Sequence, residues 1–261
     1  MFIYCMSDIH GRFNEFKKRI LQLKDLNFFK KENKDKLILL GDYIDRGPKS
    51  LQCVMLANKL TEKYPNKVIA LKGNHEEDFL LKLYTDDWHA NLDSWDGGYD
   101  CDFTEVQDFV DLYDEDLKNI SKHVTTYRLE DYPDLIEWLR KLPHYHETKN
   151  QIFVHASINE RAGKNWKKDS DESELLGNYS EFKTGKFYKT IIAGHFITGL
   201  IIDDWNFFGI YYDGESHYYL DGGMDSPYGM NMLVYDIDKD TYQNLMPDGS
   251  IKEIKPYKKY I

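Results

Sequence analysis

Three short apolar runs occur in the first 84 residues, and each is followed at once by a polar cluster and then by an amphipathic segment. Apolar runs of this length are typical of buried strands, and apolar residues spaced three and four apart predict helices. An alternating strand–helix order predicts parallel strands joined by crossover helices, which is an α/β fold. The predicted strands are 2–6, 37–40 and 68–71, and the predicted helices are 12–26, 51–64 and 76–84.

The regular strand–helix alternation does not continue through the remainder of the chain. The polar stretch 157–186 is predicted to be mostly loop, and the short β runs from 201 onward predict antiparallel strands. One domain is expected over 1–261, with an insertion at about 85–117 that carries twelve Asp and Glu residues and no Lys or Arg. The other predicted elements are a helix over 133–142 and strands over 144–148, 151–155 and 190–193.

Composition and charge exclude several classes of function. Hydrophobic residues make up 41% of the chain and charged residues 30%, an ordinary globular balance. The net charge of −11 argues against binding a nucleic acid polymer, because such binding needs Lys and Arg to neutralise phosphates. Three separated cysteines without a CxxC pair indicate reduced thiols, and no run of about 18 apolar residues is present to span a membrane. We therefore expect a cytoplasmic protein with no membrane partner.

Polar residues follow five of the predicted strands. Taken singly, each has an ordinary explanation: Asp8 suits a helix N-cap, Asn74 suits a turn, and a lone His after a strand is usually structural. Capping and turns do not explain all five, and the carboxyl ends of parallel strands form the ligand crevice of an α/β sheet. The clusters are Asp8-Ile-His10-Gly11, Gly41-Asp42-Tyr43-Ile44-Asp45-Arg46-Gly47, Gly73-Asn74-His75-Glu76, His155 and His195.

These residue types indicate a metal site. Carboxylate, imidazole and one amide oxygen, without thiolate, suit manganese, iron or zinc, whereas a calcium site would use more oxygen atoms. Two metal ions about 3.5–4 Å apart can share a water molecule and lower its pKa towards about 7. A bridging carboxylate is needed between the two ions, and Asp42 is central to the pattern.

The first three clusters, spaced about thirty residues apart, resemble the calcineurin-like metallophosphoesterase superfamily. The Asp45-Arg46-Gly47 triplet resembles the motif that marks the phosphoprotein phosphatase family. Within that family the chain is most similar to the bacterial branch, which includes serine/threonine phosphatases and symmetrical diadenosine tetraphosphatases. The similarity runs from residue 1 to about 235. It implies a four-layer αββα sandwich, with two mixed β-sheets flanked by helices.

The resemblance also implies a role for each residue. One metal ion would be held by Asp8, His10 and Asp42, and the other by Asp42, Asn74, His155 and His195. His75 would act as the general acid, oriented by Asp45, and Arg46 would bind the phosphoryl oxygens.

One departure from the family concerns the phosphate grip. The bacterial branch usually has Leu-Leu-Trp-x-Arg where this chain has Leu175-Leu176-Gly177-Asn178-Tyr179, so Tyr179 stands at the place of an arginine. The family's Gly-His-Thr-Pro is also altered, to Gly194-His195-Phe196-Ile197-Thr198. Either the phosphate grip is weaker, or a nearby cation replaces the arginine. The candidate cations are Arg161, Lys164, Lys167 and Lys168.

The expected function is hydrolysis of phosphomonoesters by a metal-bridging hydroxide, with two divalent ions, manganese first and iron or zinc as alternatives. Phosphoserine and phosphothreonine in proteins or peptides are the expected substrates. Two alternatives stay open: a symmetrical bis(5'-nucleosyl)-tetraphosphatase acting on a dinucleoside polyphosphate, and a weakly active phosphopeptide-binding regulator. The acidic 85–117 segment is either a solvated face or a surface that favours basic or neutral phosphopeptides.

Overall fold

The computed structural model describes residues 1–83, 132–177 and 180–257, and the acidic 85–117 segment lies outside this part of the chain. Within it, one sheet has six strands in the order β11-β10-β9-β1-β2-β3. These strands are β1 (Phe2–Met6), β2 (Lys36–Leu39), β3 (Val68–Ala70), β9 (Leu233–Asp236), β10 (Thr241–Leu245) and β11 (Ile251–Glu253). Strands β1, β2 and β3 are parallel, whereas β9 to β11 are joined in antiparallel fashion, so the sheet is mixed.

The second sheet has five strands in the order β4-β5-β6-β8-β7. Strands β5, β6 and β8 are parallel, and β4 and β7 are antiparallel to their neighbours. This sheet is therefore mixed as well. Its strands are β4 (Tyr145–Glu147), β5 (Gln151–Val154), β6 (Thr190–Ala193), β7 (Tyr211–Tyr212) and β8 (His217–Tyr219).

Helices cover the outer face of each sheet. The helices of the described residues are α1 (Phe13–Asp25), α2 (Ser50–Lys63), α3 (Asn74–Lys82), α4 (Pro133–Lys141), α5 (Trp166–Asp169), α6 (Glu172–Leu176) and α7 (Thr198–Ile202), with a 3₁₀ helix at Glu160–Asn165. None of the helices in this part of the chain is long and apolar enough to cross a membrane.

Successive side chains of a strand point to opposite faces of its sheet, so each sheet has a core on both faces. Ile3 and Cys5 of β1 pack with Phe153 and Ile192 of the other sheet, so the two sheets lie face to face. Tyr4 and Met6, which alternate with these residues, point to the opposite face and pack with residues of α1 and α2. The second sheet is covered in the same way by apolar residues of α5, α6 and α7. The predicted four-layer αββα arrangement is confirmed.

One sequence-based prediction was wrong. The stretch 157–186, predicted as mostly loop, contains the 3₁₀ helix, α5 and α6, because Trp166 and Leu175 anchor it on the second sheet. Antiparallel strands were predicted from 201 onward, and the pairs β7–β8, β9–β10 and β10–β11 confirm them, although β8 also runs parallel to β6 and the end of α7 overlaps this region. Helix α3 also begins at Asn74, two residues earlier than predicted.

Candidate metal centre

The loops that follow β1, β2 and β6 place their polar residues by adopting unusual backbone conformations. Left-handed φ is uncommon for residues other than glycine, costs about 1–3 kcal/mol each, and is concentrated at functional sites. Six of the nine predicted site residues adopt it, so the fold tolerates strain to aim these side chains. They are Asp8 (φ 52°), His10 (φ 43°), Asp42 (φ 56°), Asp45 (φ 66°), Arg46 (φ 65°) and His195 (φ 62°).

Asp42 lies at the centre of the cluster and is 2% exposed. Its Oδ2 atom is 3.5 Å from Nε2 of His10, 3.4 Å from Nε2 of His155 and 3.9 Å from Nε2 of His75. Its Oδ1 atom accepts a hydrogen bond from the backbone N–H of His75 at 3.1 Å. One carboxylate therefore faces three imidazoles that come from three different strand ends.

Asn74 and Asp8 complete the cluster on either side. The Oδ1 atom of Asn74 is 2.9 Å from Nε2 of His155 and 3.1 Å from Nδ1 of His195. The Asp8 carboxylate is 3.9 Å from Nε2 of His10 and accepts the backbone N–H of His195 at 3.0 Å. The structure thus brings together all six residues predicted to hold metal.

Two groups of potential ligand atoms overlap at Asp42 within the part of the chain that the structure describes. One consists of His10, Asp42 and His75, and the other of Asp42, His155 and His195, with all atoms of a group within 4.8 Å of one another. His75, predicted from sequence as a catalytic residue only, is close enough to count geometrically with the first group.

In His10 and His155, the hydrogen bond of Nδ1, the ring nitrogen that points away from the cluster, shows which nitrogen faces a cation. Nδ1 of His10 contacts the carbonyl of Ile44 at 2.8 Å, and Nδ1 of His155 contacts the carbonyl of Leu40 at 2.9 Å. A carbonyl can only accept, so each Nδ1 donates, and Nε2 is the nitrogen that faces the carboxylate and amide oxygens. Acceptor oxygens gathered around Nε2 need a cation between them, which a proton on the ring or a bound metal ion can supply. The donor set fits a metal.

Buried charge shifts the pKa values in the cluster. Burial alone would raise the pKa of Asp42, but His155 and His10 outweigh it and hold the pKa well below its usual range. Burial lowers the pKa of His155, but the adjacent Asp42 carboxylate outweighs burial and raises this pKa to about 9. A proton and a metal ion compete for the same nitrogen of His155.

Two glycines permit the close approach of ligand side chains. Gly177 has a φ of +96°, and a Cβ atom there would lie 2.4 Å from Nε2 of His195. A Cβ atom at Gly194 would lie 2.3 Å from Oδ2 of Asp8. The glycine at 177, which stands where the family has tryptophan, therefore admits the imidazole of His195.

His75 and Asp45 form a pair at the edge of the cluster. Nδ1 of His75 is 2.6 Å from Oδ2 of Asp45. Burial lowers the pKa of His75, but the hydrogen bond to Asp45 and the charge of Asp42 raise it above its usual value. The pair can keep a proton on His75 with its Nε2 atom directed at the cluster.

Arg46 is exposed and makes no hydrogen bond or ion pair with another described residue. Burial lowers the pKa of His10, and the charge of Arg46 lowers it further, which indicates that the guanidinium acts on the cluster. Among the candidate replacements for the family arginine, Lys167 pairs with Glu147, whereas Arg161 is exposed and without a partner in the described residues. Tyr179 lies outside the described residues.

Sequence reasoning assigned no role to Glu76, which is fully buried. Its carboxylate accepts the backbone N–H groups of Asp42 (2.8 Å), Tyr43 (2.7 Å), Ile44 (3.3 Å) and Gly73 (2.9 Å). It therefore binds the loop after β2 to the start of α3. The available sequence signal was an acidic residue in the first turn of a helix, but an ordinary cap gives the same signal.

An αββα sandwich with an Asp, His and Asn cluster at its strand ends defines a metallophosphoesterase fold. The family model for calcineurin-like phosphoesterases matches residues 1–198, and the chain belongs to this family. Proteins of the family are metal-dependent phosphoesterase hydrolases that use a dinuclear metal centre.

Two curated relatives carry different names. The chain is 30% identical over 161 residues to the symmetrical bis(5'-nucleosyl)-tetraphosphatase of Nitrosospira multiformis, a match that covers 60% of this chain and 44% of that protein. It is 36% identical over 113 residues to serine/threonine-protein phosphatase 2 of Escherichia coli, covering 42% of this chain and 46% of that protein. The matches thus span less than half the length of either relative.

Solved structures agree on the fold. The cold-active protein-tyrosine phosphatase of a Shewanella species superposes with a TM-score of 0.59 over 97% of this chain and 80% of that chain, at 14% identity. A serine/threonine phosphatase of Saccharomyces cerevisiae superposes with a TM-score of 0.53 over 99% of this chain and 81% of that chain, at 13% identity. These identities are low enough that the likeness concerns the fold alone.

Proposed function

We propose that this protein hydrolyses phosphomonoesters at a dinuclear metal centre, with phosphoserine and phosphothreonine in proteins as substrates. The observation that carries the proposal is the position of Asp42, whose carboxylate belongs to both groups of potential ligands. Two cations bound close together repel each other. A carboxylate that binds both supplies negative charge between them and keeps them near enough to act on one phosphate.

The assignment of ligands is the one that the family resemblance implies, and the contacts around Asp42 support it. Asp8, His10 and Asp42 would hold one ion, while Asp42, Asn74, His155 and His195 would hold the other. Manganese is our first choice for both, with iron and zinc as alternatives, because the set mixes oxygen and imidazole nitrogen without thiolate. When bound, the two ions supply an acidified water molecule and neutralise charge on the phosphoryl oxygens.

His75 acts as the general acid in this proposal. An alkoxide leaving group needs a proton, and a histidine whose Nδ1–H is held by a carboxylate can carry one on Nε2. Asp45 accepts the Nδ1–H of His75 at 2.6 Å, which fixes the ring and favours its protonated form. The proton on Nε2 would pass to the leaving oxygen, so departure of serine or threonine does not require a free alkoxide.

Arg46 binds the substrate phosphate in this proposal. Its guanidinium is exposed, lies near the cluster and has no partner among the described residues. A guanidinium offers parallel N–H groups whose spacing matches two phosphoryl oxygens. With Tyr179 at the family's second arginine position, Arg46 provides the principal grip on phosphate.

The main alternative is symmetrical cleavage of a dinucleoside tetraphosphate, since one relative carries that name. The complete set of predicted ligands and the intact His75–Asp45 pair support an enzyme over a phosphopeptide-binding regulator.

The two described cysteines, Cys5 and Cys53, are free and buried, which supports a reducing compartment such as the cytoplasm.

The test compares substrates on one preparation. The metal-free protein, supplied with manganese, should cleave a phosphoserine peptide with a higher kcat/KM than diadenosine tetraphosphate, and a chelator should abolish both activities. Asp42→Asn should remove activity, whereas Asp238→Asn, the same change on an exposed side chain, should not. Faster turnover of the dinucleotide would transfer the assignment to the alternative substrate, and full activity without metal would exclude the mechanism.

A further inference from the structure

A cavity of about 660 Å³ lies between the loop after β5, helix α6 and the segment 180–184. Its volume is within the range of pockets that bind ligands, roughly 300–1,000 Å³. None of the residues lining it belongs to the metal cluster. The cavity is therefore a separate feature of the surface, and its position relative to the cluster decides what it can bind.

Two chains of packed residues lead from the wall of the cavity to the metal cluster. Helix α6 contributes Ser173 and Glu174 to its wall and ends at Gly177, which abuts the ring of His195. Phe182, which lines the cavity and is 43% exposed, has its ring 6.4 Å from that of Phe196, and the ring of Phe196 is 4.9 Å from that of His195. The cavity thus begins within about 11 Å of a proposed metal ligand.

This distance matches the reach of a polypeptide. An extended chain advances about 3.3–3.6 Å per residue, so a peptide whose phosphorylated residue lies at the metal cluster reaches Phe182 about three residues further along. A free phosphomonoester of small size would not extend this far. The cavity is placed to contact only substrates that continue beyond the phosphate.

Most charged side chains around the cavity already have partners. Nζ of Lys183 is 2.6 Å from Glu174 and 2.5 Å from the carbonyl of Ile158. Glu160 is 3.0 Å from Nε2 of His217. Among the described residues, the lining charges without a partner are the exposed Arg161 and Glu181.

The balance of charge favours a peptide over a polyphosphate. Four carboxylates and two cations line the cavity, and His217 adds a positive charge beside Glu160, so the site has a formal excess of one negative charge. This excess favours a basic or neutral segment over additional phosphate groups, because like charges brought close together in a partly enclosed site are costly. The exposed ring of Phe182 offers apolar contact, and Glu181 offers an acceptor for a basic side chain.

The lining is also held in place before a ligand arrives. The backbone N–H of Lys183 donates to the hydroxyl of Tyr219 at 2.8 Å, and that hydroxyl donates to the carbonyl of Lys183 at 2.8 Å. His217 joins the opposite wall to β8 through Glu160. A site whose residues are already ordered loses less entropy when it binds.

We infer that this cavity is a subsite for the polypeptide chain of a phosphorylated protein substrate. Phe182 contacts the chain about three residues from the phosphorylated residue, and Glu181 selects Lys or Arg at that place. The inference rests on the proposed function, since it requires that the substrate be a phosphorylated polypeptide.

The test uses phosphoserine peptides with alanine at every other position and a single Lys moved along both sides of the phosphoserine. In the wild-type protein with manganese, kcat/KM should be highest, by about 3- to 5-fold over the all-alanine peptide, when Lys lies about three residues away on one side. Glu181→Lys should abolish this gain and produce a similar gain for a peptide with Glu at that position. Turnover of p-nitrophenyl phosphate should stay unchanged.

Glu253→Lys is the matched control, because it makes the same change of charge on an exposed residue of β11, in the other sheet. If Glu253→Lys also reverses the preference, the long-range field and not the cavity selects the peptide, and the inference is wrong. Equal kcat/KM for all peptides in the wild-type protein would overturn the subsite while leaving the phosphatase assignment intact. Turnover of diadenosine tetraphosphate without turnover of any phosphopeptide would overturn both.

Discussion

His75 differs from the other histidines of the cluster in the partner of its outer nitrogen. The outer N–H groups of His10 and His155 donate to backbone carbonyls, whereas Nδ1 of His75 is bound to the Asp45 carboxylate. A carbonyl orients a neutral imidazole, but a carboxylate also stabilises the imidazolium form. His75 is also 19% exposed, so substrate can reach it. These differences suit His10 and His155 to metal binding and His75 to proton transfer.

Removing the acid should therefore affect leaving groups unequally. We expect His75→Ala to lower kcat by about 10²–10⁴ on phosphoserine, the usual contribution of a general acid. The loss should be much smaller on p-nitrophenyl phosphate, because p-nitrophenolate leaves without protonation. Steady-state kinetics on both substrates with manganese check this, and equal losses would contradict the role.

At the scale of elements, the site depends on loops that are fixed by a buried carboxylate. Glu76 accepts four backbone N–H groups, three from the loop that carries Asp42 and Asp45 and one from the residue before Asn74. Burial, with the charge of Asp42, raises the pKa of Glu76 to about 7, and the N–H groups of Gly73 and Asp42 oppose the rise. Since Glu76 touches no proposed substrate atom, it is a positioning residue.

Replacing the Glu76 carboxylate by a neutral amide should weaken the attachment of the loop after β2 to the start of α3. In Glu76→Gln, the side-chain amide would direct its own N–H groups at backbone N–H donors, so we expect a loss of about 2–4 kcal/mol in the free energy of unfolding. Manganese affinity, measured by calorimetric titration, should fall about 10- to 100-fold. The control is Glu62→Gln, the same change on a half-exposed residue of α2. Unchanged manganese affinity in Glu76→Gln would show that the loops hold their shape without it.

The sequence predicted the parts of the fold whose signals are local. The first three strands and helices were placed to within about two residues, because each strand is a continuous apolar run and each helix has a clear stripe. The convergence of polar side chains followed from their position at strand ends, whereas the role of each residue came from the family resemblance. The helices in 157–186 could not be predicted, since Trp166 and Leu175 are far apart in a polar stretch and only the second sheet makes them part of a core. The role of Glu76 depends on contacts with residues more than thirty positions away.

At the scale of the molecule, His217 joins the second sheet to the segment that covers it. This histidine of β8 is 1% exposed, with Nδ1 2.8 Å from Asp213 and Nε2 3.0 Å from Glu160 of the 3₁₀ helix. Burial lowers the pKa of His217, but hydrogen bonds to the two carboxylates outweigh it and raise the pKa to about 9. Both nitrogens donate, so the folded protein holds an imidazolium there at neutral pH.

This pair of contacts predicts how stability depends on pH. Below pH 6.5, the unperturbed pKa, His217 is protonated in both the folded and the unfolded chain, and its contribution to stability is complete. Between pH 6.5 and about 9 only the folded chain keeps the proton, so the contribution falls as the pH rises, and above about 9 it is lost.

We expect His217→Gln to cost on the order of 2–3 kcal/mol more in the free energy of unfolding at pH 6 than at pH 9.5. Urea unfolding of both proteins across this range measures the difference. His146→Gln is the control, because burial lowers the pKa of His146, and this variant should keep the alkaline decline of the wild type. A pH-independent effect of His217→Gln would mean that the histidine is neutral in the folded protein.

The most direct test of the shared role of Asp42 is a crystal of the protein soaked in manganese and examined by anomalous scattering. Two peaks about 3.5–4 Å apart are expected, one on each side of the Asp42 carboxylate. The peak nearer His10 should also contact Asp8, and the peak nearer His155 should also contact Asn74 and His195. A single peak, or two peaks of which either lies away from Asp42, would contradict a dinuclear centre built on this residue.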